Sequence, residues 1–451
     1  MRFPSRRRTG RLITAVAGLS AAALALSACS SSGGGGSSSG SNSDGNSFSL
    51  PAKDPKATIH VLSHLSLTGP GSVAPVVKEF EKAHPSITIK WETVPFDSLA
   101  STVDAHVANK GGDPDVYWAD QPRISAIAAR GEAADLTPVF SKFKSAFDTP
   151  AYNTGIYNGK LYALPIANST QLLYYNKDLL KKAGITPPSA DVNSRMTWSE
   201  LQADALKAKK AGAPYGFTFG QFDRYYQLEP LPVEMGGSTG VTGKGNLTPD
   251  FTSDAWVKAF DWYGGLFKSG ASPKGMTPDQ TDPAFVAGKV AYTVEGPWLM
   301  PQLQDSKVKW GVAPQPYFTK GGKAVTPNGS WSVALNPFSK QKQAAAVFMN
   351  WLAVQSGYIK YETSPELAAS KDGKQIYFKR PVFSSPAGQD ATKIMDYESS
   401  NSAVARPSTI GYIEFETILN QAFSDIRNGA DAKQSLEAAK SKLTTAWAKY
   451  K

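Results

Sequence analysis

From residue 57 onward, stretches with hydrophobic side chains at every second position alternate with stretches in which they recur every three or four positions. The first pattern is typical of half-buried strands and the second of amphipathic helices. Together they predict the order β-α-β-α-β, at 58–62, 73–80, 87–92, 99–107 and 115–118. That order indicates a parallel sheet with helices on both faces. Ligands of such sheets bind at the carboxyl ends of the strands, where Trp118 and Asp120 lie.

Helical spacing returns in the last third of the chain, where it predicts helices at 344–352, 415–426 and 436–450. Two segments composed mainly of Gly, Pro and polar residues, 271–280 and 319–329, are predicted to be surface loops. The chain shows no repeat at the periods of solenoids or propellers. These patterns predict an α/β protein without internal repetition.

The first 28 residues have the pattern of a secretory signal, with five arginines up to residue 11 and no charged residue from 12 to 28. This uncharged stretch is shorter than the roughly 20 residues of a membrane span. It ends in Leu26-Ser27-Ala28-Cys29, which resembles a bacterial lipobox. The resemblance implies a lipid on Cys29 and cleavage before it; a buried free cysteine is the alternative. Because Cys29 is the only cysteine, we expect a lipoprotein on the outer face of the cytoplasmic membrane.

Residues 30–47 are only Ser, Gly, Asn and Asp, and we expect residues 29–50 to form the lipidated Cys and a flexible tether. Such a chain has an r.m.s. span of about 23 Å. The tether would let a folded body reach a membrane partner. Clearance from a crowded lipid surface is the simpler role.

Net charge first suggests an acidic partner, since 48 basic residues face 38 acidic ones. Removal of residues 1–28 leaves 43 basic residues, which reduces the excess to +5 without a basic block. We therefore predict no nucleic-acid partner. A single cysteine also excludes a disulfide framework and a cysteine-based zinc site.

Catalytic motifs are absent or lack their structural context. The chain has no GxxxxGK[ST] loop, and its four histidines form no HExxH pair. Gly236-Gly237-Ser238-Thr239-Gly240 matches GxSxG, but a glycine-rich loop follows where a nucleophile elbow needs a helix. We predict no catalytic residue, no cofactor and no bound metal.

Three tryptophans lie beside turn-forming or small polar residues: Trp118, Trp298 and Trp331. A sugar ring offers an apolar face of C–H groups and a rim of hydroxyls, which suits an aromatic platform with carboxylates or amides at its edge. Core packing is the better interpretation for any one tryptophan. Three in such contexts favour a sugar site.

The segment 159–180 reads Gly-Lys-Leu-Tyr-Ala-Leu-Pro-Ile-Ala-Asn-Ser-Thr-Gln-Leu-Leu-Tyr-Tyr-Asn-Lys-Asp-Leu-Leu. It resembles the segment that crosses between lobes in the carbohydrate-type solute-binding proteins of ABC importers, the maltose-binding kind. Further matches follow in the family's order at 80–85, 113–116, 183–201 and 285–298. The resemblance covers nearly all of residues 57–451.

This resemblance implies a two-lobed periplasmic-binding-protein-like fold of type II. Each lobe would be a mixed, mostly parallel sheet flanked by helices, with the ligand cleft between the lobes. Lobe 1 would comprise 52–167 plus 328–395, and lobe 2 would comprise 168–327 plus 396–451. Crossings are expected near Ala167-Asn168, near Thr326–Asn328 and at 395–405.

The resemblance also implies a ligand-binding set, in which Trp118 and Asp120 match a cleft tryptophan and its neighbouring acid, and Trp298 matches an aromatic platform. Tyr226 falls with Phe222 and Tyr225 where lobe 2 often supplies stacking rings. The predicted set is Trp118, Asp120, Asn168, Ser169, Phe222, Tyr225, Glu295, Trp298, Trp331 and Tyr412. Ser169 departs from the family pattern, which has a Glu there. A hydroxyl does not replace the two charge-assisted bonds of a carboxylate, so maltose itself is not predicted.

The function these observations predict is capture of a sugar or oligosaccharide by lobe closure, followed by delivery to the permease subunits of an ABC transporter. We expect a monomer that is held to the membrane by Cys29. A tethered glycoside hydrolase is the first alternative and would need two facing carboxylates, such as Asp120 and Glu295. A binding protein for another small solute is the second, and a structural envelope protein the third.

Overall fold

The computed structural model describes residues 48–69, 71–304, 306–329, 331–361 and 366–450. The predicted signal, Cys29 and most of the predicted tether lie outside these residues. None of the helices in the described ranges is both long enough and apolar enough to cross a membrane.

The first sheet contains five strands, with Val116–Asp120 in its centre. Its spatial order is Ile87–Thr93, Ala57–Ser63, Val116–Asp120, Trp331–Leu335 and Ala163–Pro165. The first three strands run parallel, as the β-α-β-α-β pattern predicts. The last two pairings are antiparallel.

The second sheet contains four strands in the order Trp310–Pro314, Leu172–Asn176, Val290–Glu295 and Tyr215–Phe219. Only the last pair is parallel. Both sheets are mixed, as expected, but parallel pairing does not dominate either of them. The physical reason is the route of the chain. Leu172–Asn176 and Trp331–Leu335 each enter their sheet from the other sheet, so they begin at the side of the sheet where their neighbours end. They therefore run antiparallel to those neighbours.

The chain passes between the two sheets through short strands. Ala167–Asn168 pairs antiparallel with Leu367–Ala368, and Thr326–Asn328 pairs parallel with Ala403–Ala405. We call these four segments the crossing strands. The prediction of a surface loop over 319–329 is wrong at its end, because Val325 through Asn328 are buried. Their backbone is covered by the neighbouring crossing strand, which sequence composition does not reveal.

Helices cover both sheets, and those predicted from periodicity are present at Ala74–Ala83, Leu99–Val107, Lys342–Met349, Tyr412–Arg427 and Ala432–Ala446. A π-helical turn, Asn350–Val354, extends one of them. The longer of the remaining α-helices are Trp198–Lys210, Asp254–Lys268, Pro278–Val286, Lys371–Tyr377 and Pro386–Asn401. Shorter ones are Ile124–Ala129, Thr137–Phe140, Thr149–Asn153, Lys177–Lys182, Tyr225–Leu228, Pro230–Glu234, Met300–Gln304 and Gly357–Tyr361.

One helix begins inside a segment that was predicted to be a loop. Thr277 caps Pro278–Val286 in a capping box with Gln280, and Pro278 occupies its first position. A proline there lacks only an N–H that would have no partner inside the helix, so it starts the helix rather than breaking it. The loop prediction over 271–280 is therefore wrong for its last three residues.

Pro386–Asn401 packs against the strand Trp310–Pro314 of the second sheet. The predicted lobe boundary at residue 395 falls inside this helix. A buried ion pair between Arg195 and Glu398, 2.5 Å long, fixes its C-terminal end to the same side of the molecule. The exact lobe boundaries stay a prediction.

Candidate ligand-binding cavity

A cavity of about 300 Å³ lies where strand ends of both sheets meet. Its lining from the first sheet and the adjoining segments includes Phe96, Trp118, Asp120, Arg123 and Trp331. The opposite side is formed by residues that follow the crossing strands, by segments next to the second sheet and by the helix Tyr412–Arg427; they include Ser169, Phe222, Arg224, Tyr226, Trp298, Arg406 and Glu416. Six of the ten predicted ligand-binding residues are in the lining: Trp118, Asp120, Ser169, Phe222, Trp298 and Trp331. Their binding role stays a prediction.

Trp118 forms part of the cavity floor. Its side chain is 1% exposed and packs edge-on against Trp91 and Tyr358, at ring-centroid distances of 5.1 and 6.1 Å. Its indole Nε1 is buried without a hydrogen-bond partner among the described residues. A buried donor without a partner is unfavourable, so this N–H would gain from an acceptor in the cavity.

Asp120 ends the same strand and forms a two-pronged ion pair with Arg406 at 2.5 and 2.8 Å. The guanidinium of Arg406 also lies 5.0 Å from the Tyr226 ring centroid. Arg123 pairs with Glu416 at 2.5 Å, and Glu416 lies 3.8 Å from Arg406. Four alternating charges therefore join the end of the first sheet to the chain beyond the last crossing strand.

Trp331 forms an aromatic wall with two rings that the sequence did not single out. His64 stacks on it at 4.1 Å, and Phe96 packs edge-on at 5.6 Å. Burial lowers the pKa of His64 to about 4, against a weaker opposite effect of Asp120, so the stacked imidazole is neutral near pH 7. Phe96 is 44% exposed, and the guanidinium of Arg224 lies over its ring, 4.5 Å from the centroid. This contact connects the two walls of the cavity.

Trp298 lies on a short helical turn, Pro297–Leu299, directly after a buried strand. Its ring folds back over Gly296, where an added Cβ would lie 2.2 Å from the indole. The absence of a side chain at 296 therefore sets the position of the platform. Tyr226 lies 6.5 Å from Trp298, on the side of Arg406.

Ser169 lies between the walls and is already bonded. Its hydroxyl lies 2.6 Å from the Tyr226 hydroxyl and also donates to the carbonyl of Gly329. Gln171 donates to the same Tyr226 hydroxyl at 3.2 Å, and burial raises the pKa of Tyr226 to about 12. The serine therefore positions Tyr226, a role that the departure from the family's Glu did not indicate.

Four predicted ligand-binding residues lie outside the lining. Asn168 accepts a hydrogen bond from the Ser169 N–H in a crossing strand. Tyr225 donates to the carbonyl of Thr239 at 2.5 Å, and Tyr412 donates to Glu416 at 3.2 Å; both rings are fully buried. Their orientation follows from helix packing, which places one of two neighbouring tyrosines in the core and Tyr226 at the cavity.

Glu295, the fourth, lies behind the cavity wall. Its carboxyl accepts a bond from the Gly296 N–H at 2.9 Å and occupies the space that a Cβ on Gly220 would need. Burial, with a contribution from the nearby Asp282, raises the pKa of Glu295 well above its usual range. By holding the Gly296 N–H, this carboxyl supports the backbone over which the Trp298 ring folds.

Arg123, Arg406 and Glu416 are the main residues of the lining that sequence patterns did not identify as binding residues. Arg406 and Asp120 are 286 positions apart, and Arg123 and Glu416 are 293 apart. No local periodicity reports such pairs. The Arg406-Pro407 dipeptide after a predicted crossing was the one available signal.

Six charged side chains of the lining have an opposite charge within ion-pair distance. Besides the four-residue chain, Asp104 pairs with Arg130 at 2.8 Å and Asp223 with Arg427 at 3.0 Å. A charged ligand would have to break such a pair, whereas hydroxyl groups can bond to its edges. Among the described residues, no group of three His, Cys, Asp or Glu side chains is arranged to hold a metal ion.

Ser238 of the GxSxG match is a turn residue, as predicted. Its hydroxyl donates to the carbonyl of Asp250 and accepts from the Gly240 N–H. The strand Gly240–Thr242 follows it where a nucleophile elbow would have a helix.

Among the known proteins to which this chain is similar are two saccharide-binding proteins of one bacterium. The chain is 27% identical over 305 residues to the maltodextrin-binding protein MdxE of Bacillus subtilis, covering 65% of this chain and 69% of that one. It is 24% identical over 374 residues to the galactooligosaccharide-binding protein of the same organism, covering 80% and 83%.

A solved structure, the ABC substrate-binding protein Lmo0181 of Listeria monocytogenes in complex with cycloalternan, matches with a TM-score of 0.74. The match has 22% identity and covers 87% of this chain and 99% of that chain, which confirms the predicted two-lobed fold. Residues 66–357 match the family model for bacterial extracellular solute-binding proteins. The chain therefore belongs to the bacterial extracellular solute-binding protein family.

Proposed function

We propose that this protein captures an uncharged sugar or oligosaccharide between its lobes and delivers it to the permease subunits of an ABC transporter. The observation that carries the proposal is the composition of the cavity. Trp298 and Trp331 supply rings from the two sheets, and the charges between them are paired. Apolar faces with hydrogen-bonding edges suit the C–H faces and hydroxyl rims of sugars. The names of the maltodextrin- and galactooligosaccharide-binding relatives support the same class of ligand.

Each polar group of the lining has a distinct part in the proposed binding. The Asp120 carboxylate accepts hydrogen bonds from sugar hydroxyls while Arg406 holds it in place. Arg406 and Arg123 offer their remaining N–H groups as donors. Trp118 Nε1, which lacks a partner in the described structure, donates to a ligand oxygen.

Closure follows from the ligand contacting both lobes at once. A ligand that touches Trp331 and Trp298 together binds the closed arrangement more tightly, and this difference shifts the equilibrium between open and closed forms. The crossing strands are the segments that would change their backbone angles. We further propose that the protein acts as a monomer, without catalytic activity, anchored outside the membrane by a lipid on Cys29.

Glycoside hydrolysis is less well supported. The candidate acids were Asp120 and Glu295, and Glu295 lies behind Gly220 and Gly296 rather than in the lining of the cavity. Asp120 is held by Arg406. A hydrolase needs two carboxyl groups that both reach the scissile bond.

A thermal-shift screen tests the proposal. The chain from residue 29, with Cys29→Ser to prevent lipidation, is melted with neutral mono- and oligosaccharides, amino acids, peptides and polyamines. A sugar at 100 times its Kd should add about 2.7 kcal/mol to the free energy of unfolding. Stabilisation by another solute class, with none by sugars, would overturn the proposal. Chromatography of the sugar after incubation should show it unchanged; cleavage would favour the hydrolase.

A further inference from the structure

A second cavity, of about 190 Å³, lies beside the crossing strands. We call it the hinge cavity; its lining includes Gln121, Asn153, Thr154, Asn328, Gly329 and Arg406. Gly329 and Arg406 also line the ligand-binding cavity, whereas Asn153, Thr154 and Asn328 do not. The hinge cavity is therefore a separate space that shares one boundary with the first.

Two side chains in this lining have buried polar atoms for which the described part of the chain offers no hydrogen-bond partner. Asn328 is 7% exposed and its Oδ1 has no partner among the described residues. Arg406 is 9% exposed, and its Nε likewise has none, although both its Nη atoms bind Asp120. The two residues come from adjacent strands, since Asn328 pairs in register with Ala405.

Gly329 keeps the space beside the guanidinium open. Its φ is +139°, and an added Cβ would lie 3.2 Å from Arg406 Nη2, 3.6 Å from Nε and 3.5 Å from Gln121 Oε1. Any side chain there would occupy the space in front of these atoms. Glycine at 329 therefore leaves the Arg406 Nε donor and the Gln121 Oε1 acceptor uncovered on this side.

The free atoms define the ligand chemistry. Nε–H is a donor and Oδ1 an acceptor, and a hydroxyl group can accept from the first while it donates to the second. A charged ligand is less suited, because Arg406 is already neutralised by Asp120. The volume exceeds that of a single bridging water by several times, since one water takes up about 30 Å³.

We propose that the hinge cavity binds a small neutral polyol group, through Arg406 Nε, Asn328 Oδ1 and the neighbouring Gln121. Two sources can present this chemistry: a free polyol of three or four carbons, or the end of a saccharide that extends past Gly329 from the first cavity. In both cases the occupant stands between crossing strands and the Asp120–Arg406 pair, so that it couples the hinge to the ligand-binding cavity.

Saturation-transfer difference NMR on the purified protein, with glycerol and erythritol as probes, tests the site. Asn153 is exposed at the rim, and Asn153→Trp should block the cavity and abolish the transfer to both probes. Asn109→Trp, at an exposed position elsewhere, is the matched control and should keep the wild-type signal. Asn328→Leu removes the unpartnered acceptor together with the amide NH2 group, and should weaken erythritol binding at least about fivefold, as expected for loss of one hydrogen bond.

The melting temperature of Asn328→Leu provides a second readout. Because Oδ1 has no partner among the residues that the structure describes, its replacement by an apolar group should leave the fold at least as stable. Absence of transfer in the wild type, or an equal signal in wild type and Asn153→Trp, would overturn the proposal.

A sugar identified for the first cavity distinguishes the two sources. Erythritol transfer that persists under saturating sugar indicates a separate polyol site. Transfer that long oligosaccharides abolish and short ones do not indicates an extension of the same ligand. The probe signal does not require sugar binding, so failure of the proposed function and failure of this site give different results.

Discussion

In each sheet a central strand ends at the cavity, and an acidic residue and a tryptophan lie at or near that end. The acid and the tryptophan exchange roles between the two sheets. At the end of Val116–Asp120 the carboxylate faces the cavity in an ion pair, and Trp118 supports it from below at 1% exposure. At the end of Val290–Glu295 the carboxyl is buried, and Trp298 faces the cavity. One wall therefore presents an acid on an aromatic support, and the other presents an aromatic ring on an acid support.

The difference shows that a residue type at a strand end does not determine its role. Asp120 lines the cavity as an ionised partner of Arg406, which reaches it from the far end of the chain. Glu295 is enclosed because two glycines, Gly220 and Gly296, leave room for its carboxyl and for the ring of Trp298. The neighbouring side chains decide which group a ligand would meet.

The largest expected effect is a difference between Trp118 and Trp298 in their contributions to stability and to sugar binding. Trp118→Ala should lower the free energy of unfolding by about 3–5 kcal/mol, since it removes a fully buried indole. Trp298→Ala should lower it by less than about half as much, because the ring is only partly buried. It should instead weaken sugar binding at least tenfold, as loss of an aromatic contact at a binding hot spot does. Urea denaturation and calorimetric titration measure the two quantities. Equal losses of stability would show that Trp298 is a core residue.

The next largest difference is expected between the stability effects of substituting Asp120 and Glu295. Asp120→Asn leaves the nearly buried Arg406 without its main partner, and we expect a loss of about 3 kcal/mol in unfolding free energy. Glu295→Gln should lose less than about 1 kcal/mol, because burial already disfavours the charged carboxylate and a neutral amide has a similar shape. A larger loss for Glu295→Gln than for Asp120→Asn would contradict the assigned roles.

The pH dependence of Glu295 sharpens the same contrast with a smaller effect. The folded protein holds the proton above pH 4.5, where the unfolded chain releases it. This group therefore favours folding at low pH, and its contribution falls as the pH rises from 4.5 toward the raised pKa. Relative to Glu295→Gln, the wild type should lose stability with rising pH across that window. Parallel stability curves of the two proteins between pH 5 and 8 would show that the pKa is not raised.

The sequence predicted the elements whose information is local. The strand at 87–92 and the helix at 99–107 follow from periodicity, and the structure places them within a residue or two of the prediction. The pairing of Trp331–Leu335 with the central strand was not predictable from pattern, because it joins segments more than 200 residues apart. The other antiparallel pairs of both sheets likewise join segments that lie far apart in the chain.

Site prediction had the same limit. Trp298 and Trp331 were found because turn-forming residues flank them. Tyr225 and Glu295 were placed in the site by position along the chain, yet every residue of the strand 290–295 is buried, so its pattern does not show which face meets the cavity. Arg406 and Asp120 are far apart in the sequence and come into contact only when the chain folds. Side-chain direction and long-range charge pairing are set by packing, which no window of sequence contains.

The most direct test of the central claim, that the cavity takes an uncharged sugar, is a calorimetric titration of one sugar found by the screen together with its uronic-acid and amino-sugar analogues. The pairing of Asp120 with Arg406 and of Arg123 with Glu416 predicts saturable binding of the neutral sugar. Each charged analogue should bind at least about tenfold more weakly, because it must disrupt a paired charge. Equal or tighter binding of either charged analogue would contradict the account.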